Sequence, residues 1–298
     1  MRRRLWLSGG TQESRQMVAR LSALGTDTAV VPGALLITVT TEAARSLYPP
    51  EWTDQVWVGQ LAPPQADDFV RDYQIGAILD LSHPFAAQIS RQAIALAQHH
   101  QLPYLRYERA VIESPLKTWR DRRGRPGRVE LAQFADLWQA DYLSQERTLL
   151  TIGSRLLPQF ASWQTECDLF VRILPSPPAL AAALVAGFAP DRILALRPPL
   201  SPALEKALWQ QRQITQVVTK ASGTAGGEDH KPAIAAELGV RLIQIARPQV
   251  DYPQQTDRLD TALQFAIRYA TQWCDDWRSP PLTRGLTPLR STPSDGSA

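Results

Sequence analysis

Short apolar runs separated by amphipathic stretches recur along the whole chain. Leu5-Trp6-Leu7, Leu35 to Val39, Val56-Trp57-Val58, Ala77 to Leu81 and Tyr104 to Tyr107 read as strands. Helical periodicity fills 12–24, 65–73 and 84–99 between them. A second series has runs at Leu149 to Ile152, Leu169 to Leu174, Ile193 to Leu196, Gln216 to Thr219 and Leu242 to Ile245. Its helical stretches lie near 131–140, 178–186, 202–212 and 229–238, then 257–275. Thr28 to Val31 is either a strand of its own or part of an insertion before Leu35. Repeated βα units imply parallel strands with right-handed crossovers and helices on both faces. The predicted fold class is α/β, as two Rossmann-like doubly wound domains with parallel sheets.

The first domain is read over 1–112 and the second over 130–277. Between them KTWRDRRGRPGR, Lys117 to Arg128, is rich in arginine and glycine and lacks apolar periodicity, so 113–129 reads as a basic linker or mobile loop. Past Trp277 the composition turns to proline, serine, threonine and glycine, and 278–298 is expected to be a disordered tail. A chain of 298 residues suits two ordinary α/β domains. No repeat of solenoid length occurs.

Charge and cysteine content narrow the function classes. A net charge of +3 with a pI near 9.0 is too weak for nucleic-acid binding and suits an acidic small molecule. Cys167 and Cys274 stand far apart in no C-x-x-C pattern, which argues for buried thiols and against a disulfide framework, a zinc site or an iron–sulfur site. Arg2 to Arg4 lead straight into a short strand, and no uninterrupted apolar stretch reaches the ~18 residues needed to span a bilayer. A cytoplasmic protein without a membrane partner is the expectation.

Ligands of open α/β sheets bind beyond the carboxyl ends of the strands. After the first strand stands Ser8-Gly9-Gly10-Thr11-Gln12-Glu13, which lacks the full G-x-G-x-x-G fingerprint and fits either a phosphate loop or a plain turn. After the second, Arg45 is placed where a dinucleotide fold meets a 2′-phosphate, which would favour NADPH over NADH, or else is a solvated surface arginine. After the fourth comes Ser82-His83-Pro84-Phe85, with Pro84 suited to a first helical position and His83 to the cap. His99 and His100 close the following helix and read as solvated. In the second half the strand ends carry Arg197-Pro198-Pro199 and Lys220-Ala221-Ser222-Gly223, either an anion site or a loop with a surface lysine. A Tyr-x-x-x-Lys pair, a P-loop, G-x-S-x-G and H-E-x-x-H are all absent, which removes short-chain dehydrogenase, kinase, hydrolase and metalloprotease readings.

In order and spacing, SGGTQE, AAR, VG, DLSHPFAAQISRQA, PYLRYER, LTIG, VTKASG and AAELGVRLIQIARP resemble the precorrin-6A reductase family of cobalamin biosynthesis, over roughly residues 4 to 250. The resemblance implies reduction of a double bond of precorrin-6A, or of its cobalt form, with NADPH in an interdomain cleft. It places Ser8, Gly9, Gly10, Thr11, Glu13, Arg45, Gly59 and Ser82 on the cofactor side, and Pro84, Phe85, Lys220, Ser222 and Gly223 on the substrate side. The implied substrate is a polycarboxylate tetrapyrrole, a corrinoid precursor. Each exposed cation–carboxylate contact contributes only ~0.2–1 kcal/mol, so several are needed. Arg15, Arg106, Arg109, Arg197 and Lys220 are the candidate holders. His83 is the histidine nominated to deliver a proton after hydride addition. The residues require no metal or flavin, and nothing in the sequence sets the oligomeric state.

Three departures from the family pattern stand out. Ala221 replaces asparagine or aspartate, Arg197-Pro198-Pro199 replaces Gly-Pro-Phe, and Gln60-Leu61-Ala62-Pro63-Pro64 replaces a glycine-rich stretch. They leave two other readings open: a non-catalytic NADPH-binding or sensing protein, and an NADPH reductase acting on another acidic substrate.

Overall fold

Leu5, Trp6 and Leu7 are fully buried because β1 (Arg4–Ser8) runs through the middle of a parallel sheet covered on both faces. The structure is a computed structural model describing residues 3–24, 32–112, 118–139, 141–224 and 228–271. The ambiguous Thr28 to Val31, together with Lys117, Cys274 and the 278–298 tail, lies outside the described residues. β1 pairs with β2 (Leu35–Val39) on one side and β4 (Ile75–Asp80) on the other. β3 (Val56–Val58) flanks β2 and β5 (Tyr104–Tyr107) flanks β4, so the strand order is 3-2-1-4-5. Side chains alternate between two cores. Leu5, Leu7, Ile37 and Leu79 meet Met17, Val18 and Leu21 of α1 (Gln12–Ser22). Trp6, Leu36 and Ile78 meet Phe69 of α3 (Pro63–Asp72) and Ala93 and Leu96 of α4 (Ala87–His99). A short α2 (Glu42–Arg45) follows β2.

The second unit repeats this plan with β7 (Arg147–Thr151), β8 (Asp168–Ile173), β9 (Ile193–Ala195), β10 (Gln216–Lys220) and β11 (Arg241–Ile245), ordered 9-8-7-10-11. Its helices are α5 (Ala135–Gln139), α6 (Pro177–Val185), α7 (Pro202–Gln211) and α8 (Lys231–Leu238). Leu149, Phe170, Val217 and Leu242 pack with Trp209 of α7 and Ile234 of α8. The doubly wound α/β class read from the sequence is the architecture observed.

Each sheet gains a sixth strand at its edge. β6 (Arg128–Leu131) follows the first set of strands in sequence but pairs with β11, whereas β12 (Gln255–Thr256) follows the second set and pairs with β5. α9 (Leu259–Thr271) then lays Ala262, Ala266 and Ala270 into the first unit's core. The first compact unit therefore runs to Glu108 and resumes at Val250, and the second spans Arg109–Gln249. This corrects the sequence-based division at 250–271: small alanines let α9 lie close on the first sheet, and two strand residues complete that sheet's edge. The described part of the basic stretch 113–129 is folded onto the second unit. Asp121 accepts hydrogen bonds from the backbone of Arg123 and Arg125, Arg125 bonds Glu146, and the Trp119 indole donates to the Val240 carbonyl. Among the described residues no helix is long and apolar enough to cross a membrane.

Gln74, Gln101 and Gln213 sit just past the ends of α3, α4 and α7 with φ of +54°, +53° and +52°. Glycine ordinarily fills this left-handed position, because any Cβ there is strained. Gln213→Gly is expected to raise stability by up to ~1 kcal/mol and the melting temperature by ~2–4 °C, read by calorimetry. A lower melting temperature would show that the glutamine side chain outweighs the backbone strain.

Candidate active site

The carboxyl edge of the first sheet is assembled by hydrogen bonds between loops that are distant in sequence. The Thr11 hydroxyl donates to the Leu81 carbonyl at 2.8 Å, the Leu81 amide to the Ser8 carbonyl, and the Gly9 amide to the Thr38 carbonyl. Gly59 closes the β3 end, with its amide on the Val39 carbonyl. These bonds hold the ends of β1, β2, β3 and β4 beside the point where the strand order reverses, the usual ligand edge of such sheets.

The glycine pair has two separate causes. Gly10 has φ of +84°, which a side chain would strain. Gly9 faces Tyr48, whose hydroxyl would lie 2.3 Å from any Cβ placed there. That hydroxyl accepts the Gly10 amide at 2.8 Å and lies 2.9 Å from Ser14 Oγ. Ser14 Oγ in turn donates to the Thr11 carbonyl and accepts the Thr11 amide, and Thr11 caps α1. With its own proton on Thr11, Ser14 Oγ receives the Tyr48 proton. The loop is thus preformed, with the Gly10 and Thr11 amides already engaged inside the protein. A phosphate would meet the loop at the following amides of α1, where Glu13 is half-buried and Arg15 exposed. Burial raises the pKa of Tyr48, which keeps the phenol protonated.

Arg45 donates to the Val56 carbonyl at 3.0 Å, and its buried Nε, which makes no hydrogen bond, faces the Glu42 carboxylate at 3.6 Å. The Arg45 guanidinium and the α1 N-terminus are the groups at this edge whose chemistry fits the phosphates of a dinucleotide.

Ser82 to Phe85 form a turn, and α4 begins only at Ala87. His83 Nδ1 accepts the Phe85 amide at 3.1 Å and the His83 carbonyl accepts the Ala86 amide, so His83 is not a helix cap and Pro84 is not the first helical residue. The reason is local: this side-chain bond closes a tight turn before the helix starts. Accepting at Nδ1 puts the ring proton of a neutral imidazole on Nε2.

Beneath this turn Asp80 and Arg106, both fully buried, form an ion pair at 3.0 Å. Asp80 also accepts from the Ser82 amide, the Ser90 hydroxyl and the Tyr104 phenol. Arg106 reaches Ser82 Oγ and Glu108, and its guanidinium lies 5.3 Å from the Tyr252 ring. Burial alone would push the Asp80 carboxyl up, but Arg106 and the serine hydrogen bonds outweigh it and hold the group below the usual carboxylate range. Arg106 is therefore withdrawn from the exposed carboxylate holders, because its donors are consumed by Asp80, Glu108 and Ser82. Ser82 is likewise committed inside the protein.

In the second unit the carboxyl edge is cationic. Lys220 ends β10 with its ammonium 5.6 Å from the Phe134 ring centre. Burial, reinforced by Arg155, lowers its pKa to about 8. The loop after it is clamped by arginines: Arg109 donates to the Ser222 carbonyl, and Arg247 to the Ala221 and Arg109 carbonyls. Glu228 accepts the Gly223 amide and a hydrogen bond from Gln244, and Lys231 donates to Thr219 at 3.2 Å. Gly223 has φ of +80°. Arg197 is exposed. Tyr48, Arg247, Glu228 and Lys231 escaped the sequence reading. Only Arg247, at the end of β11, carried a visible signal.

A family model described as Precorrin-6x reductase CbiJ/CobK matches residues 4–266. The chain belongs to this family. Among precorrin-6x reductases, the cobalt-precorrin-6A reductase of Synechocystis sp. is 46% identical over 268 residues, covering 89% of this chain and 96% of that protein. The precorrin-6A reductase of Rhodococcus erythropolis is 31% identical, covering 86% and 93%. A solved structure, CobK precorrin-6A reductase, shares the fold with a TM-score of 0.68 at 22% identity, covering 90% of this chain and 97% of that one.

Replacing Arg106 by leucine leaves the buried Asp80 charge unpaired and is expected to cost ~3–5 kcal/mol at pH 7. In the wild type the depressed Asp80 pKa contributes stability above the unfolded value of ~3.9, lost as pH falls through the folded value. In the variant Asp80 is raised instead, so the deficit should shrink between pH 8 and pH 5. Urea unfolding at both values checks this, and an equal deficit at each would remove the ion pair as the cause.

Proposed function

We propose that this chain reduces precorrin-6A, or its cobalt form, to the 6B dihydro product, with NADPH as hydride donor. The observation that supports it most is the family match across residues 4–266, which spans both strand-end edges just described. NADPH supplies the hydride, and the residues of the first unit hold it. The first amides of α1, set in place by the preformed Ser8–Thr11 loop, take the diphosphate, and Arg45 takes the 2′-phosphate. Arg45 carries the choice against NADH, because a guanidinium matches a phosphate in charge and in donor geometry.

The acidic arms of the macrocycle are taken by cations. Lys220, Arg109 and Arg197 of the second unit are accessible or half-buried cations among those predicted. Hydride addition to a conjugated carbon–nitrogen system leaves electron density that must be protonated. A neutral His83 holding its proton on Nε2 is a weak acid, whereas a Lys220 ammonium with a pKa of about 8 can give up a proton near neutral pH. Lys220 is thus the better proton donor, and His83 sets the shape of the turn.

Anaerobic oxidation of NADPH by the purified protein with precorrin-6A tests this, with NADH alongside and mass analysis for a gain of two hydrogens. Turnover is expected with NADPH, and Arg45→Ala should raise the NADPH KM roughly five- to tenfold, with kcat and the NADH reaction little changed. With Lys220 protonated as the working acid, kcat should fall as pH rises through about 8, and Lys220→Met should lower kcat and flatten that limb. An unchanged profile in Lys220→Met would return the proton to His83 or solvent. Absence of turnover with intact cobalt-free and cobalt-loaded substrate would leave the sensing or other-substrate reading.

A further inference from the structure

Away from both strand-end edges, one group of side chains brings nitrogen and oxygen donors to a common point. Asp67 on α3 and His99 and His100 at the end of α4 offer three ligand atoms within 4.8 Å of one another. Both imidazoles turn Nε2 toward the same carboxylate oxygen, at 2.7 Å for His100 and 3.7 Å for His99. The histidine pair reads from the sequence as solvated, yet the His100 side chain is only 19% exposed, while that of His99 is 70% exposed.

We propose that Asp67, His99 and His100 bind one divalent transition-metal ion of the zinc class, linking α3 to α4. Donors at ~2.0–2.2 Å from such an ion lie roughly 3–3.5 Å apart, a spacing bracketed by the two nitrogen–oxygen distances, so small side-chain rotations complete the set. The backbones that carry the donors are fixed, because Phe69 and Val70 of α3 pack in one core with Leu96 and Ala97 of α4. His99 and His100 stand at the carboxyl end of α4, where the helix dipole favours a cation. Arg71 occupies the other carboxylate oxygen of Asp67, Oδ2, and leaves Oδ1 to the histidines. Arg71 also competes with a bound ion as a neighbouring positive charge. Two imidazoles and one carboxylate suit Zn²⁺ or Ni²⁺ rather than Mg²⁺ or Ca²⁺, and the exposure of His99 leaves room for water to fill the remaining positions.

Calorimetric titration of the full chain with zinc chloride, and separately with nickel chloride, tests the site. One ion per chain is expected, with no binding of Mg²⁺. His99→Ala, at an exposed position where folding is not at stake, should weaken binding roughly tenfold or more, and Asp67→Asn should do the same. Arg71→Gln should tighten it severalfold by removing the competing charge. Unchanged affinity in a variant lacking all three ligands would overturn the proposal, as would wild-type binding no stronger than that variant's, or weaker binding in Arg71→Gln.

Discussion

The first unit is organised around the buried pair of Asp80 and Arg106. A buried carboxylate is tolerable only when its charge and lone pairs are answered, and here Arg106, the Ser82 amide, Ser90 and Tyr104 answer them. The same contacts fix the exit of β4, the start of α4 and the turn carrying His83 between them. Arg106 extends the arrangement to the returning segment: its amide donates to the Gln254 carbonyl, and its guanidinium lies near Tyr252. One ion pair thus secures the ligand-edge turn and the strand that comes back from the far end of the chain. Whatever binds beside Ser82 meets a surface whose shape is set from underneath.

The return of β12 and α9 to the first unit explains where the sequence misleads about domains. Ten strands were legible, because parallel strands buried on both faces appear as continuous apolar runs. β6 and β12 were not: RVEL mixes charge with apolar residues, and a two-residue strand has no pattern to read. The ends of α3, α4 and α7 were legible to within one residue, even though glutamine stands after each where glycine usually stops a helix.

Site residues divided along a similar line. The places of Ser8–Glu13, Ser82–Phe85 and Lys220–Gly223 at strand ends were readable because the apolar runs mark where β1, β4 and β10 stop. Arg106 was misjudged because a sequence does not distinguish an arginine that meets solvent from one that neutralises a buried aspartate 26 positions earlier. Tyr48, Glu228 and Lys231 went unseen because each acts on a backbone or hydroxyl group elsewhere in the chain, and such pairings exist only once the fold is formed. The position of these loops was therefore visible in the sequence, and the contacts that support them were not.

Two sheets of the same strand order carry different electrostatics at the same edge. In the first unit β1 leads through Gly9-Gly10 into an α-helix capped by Thr11, which gives an aligned dipole and a positive end made of backbone amides. In the second unit β7 leads through Gly153, with φ of +82°, into a 3-10 run over Ser154–Gln164 interrupted by Pro158. A 3-10 segment has poorer hydrogen-bond geometry and makes a weaker anion site. Positive charge there comes from side chains instead, with Lys220 on its half-buried perch and Arg155 nearby. Backbone amides suit a compact phosphate that must sit in one place, and long cationic side chains suit carboxylates spread over a wide molecule. The electrostatic difference follows from a single local one, whether the chain leaving the glycine turn enters an α-helix, as at Gln12, or a 3-10 run, as at Ser154.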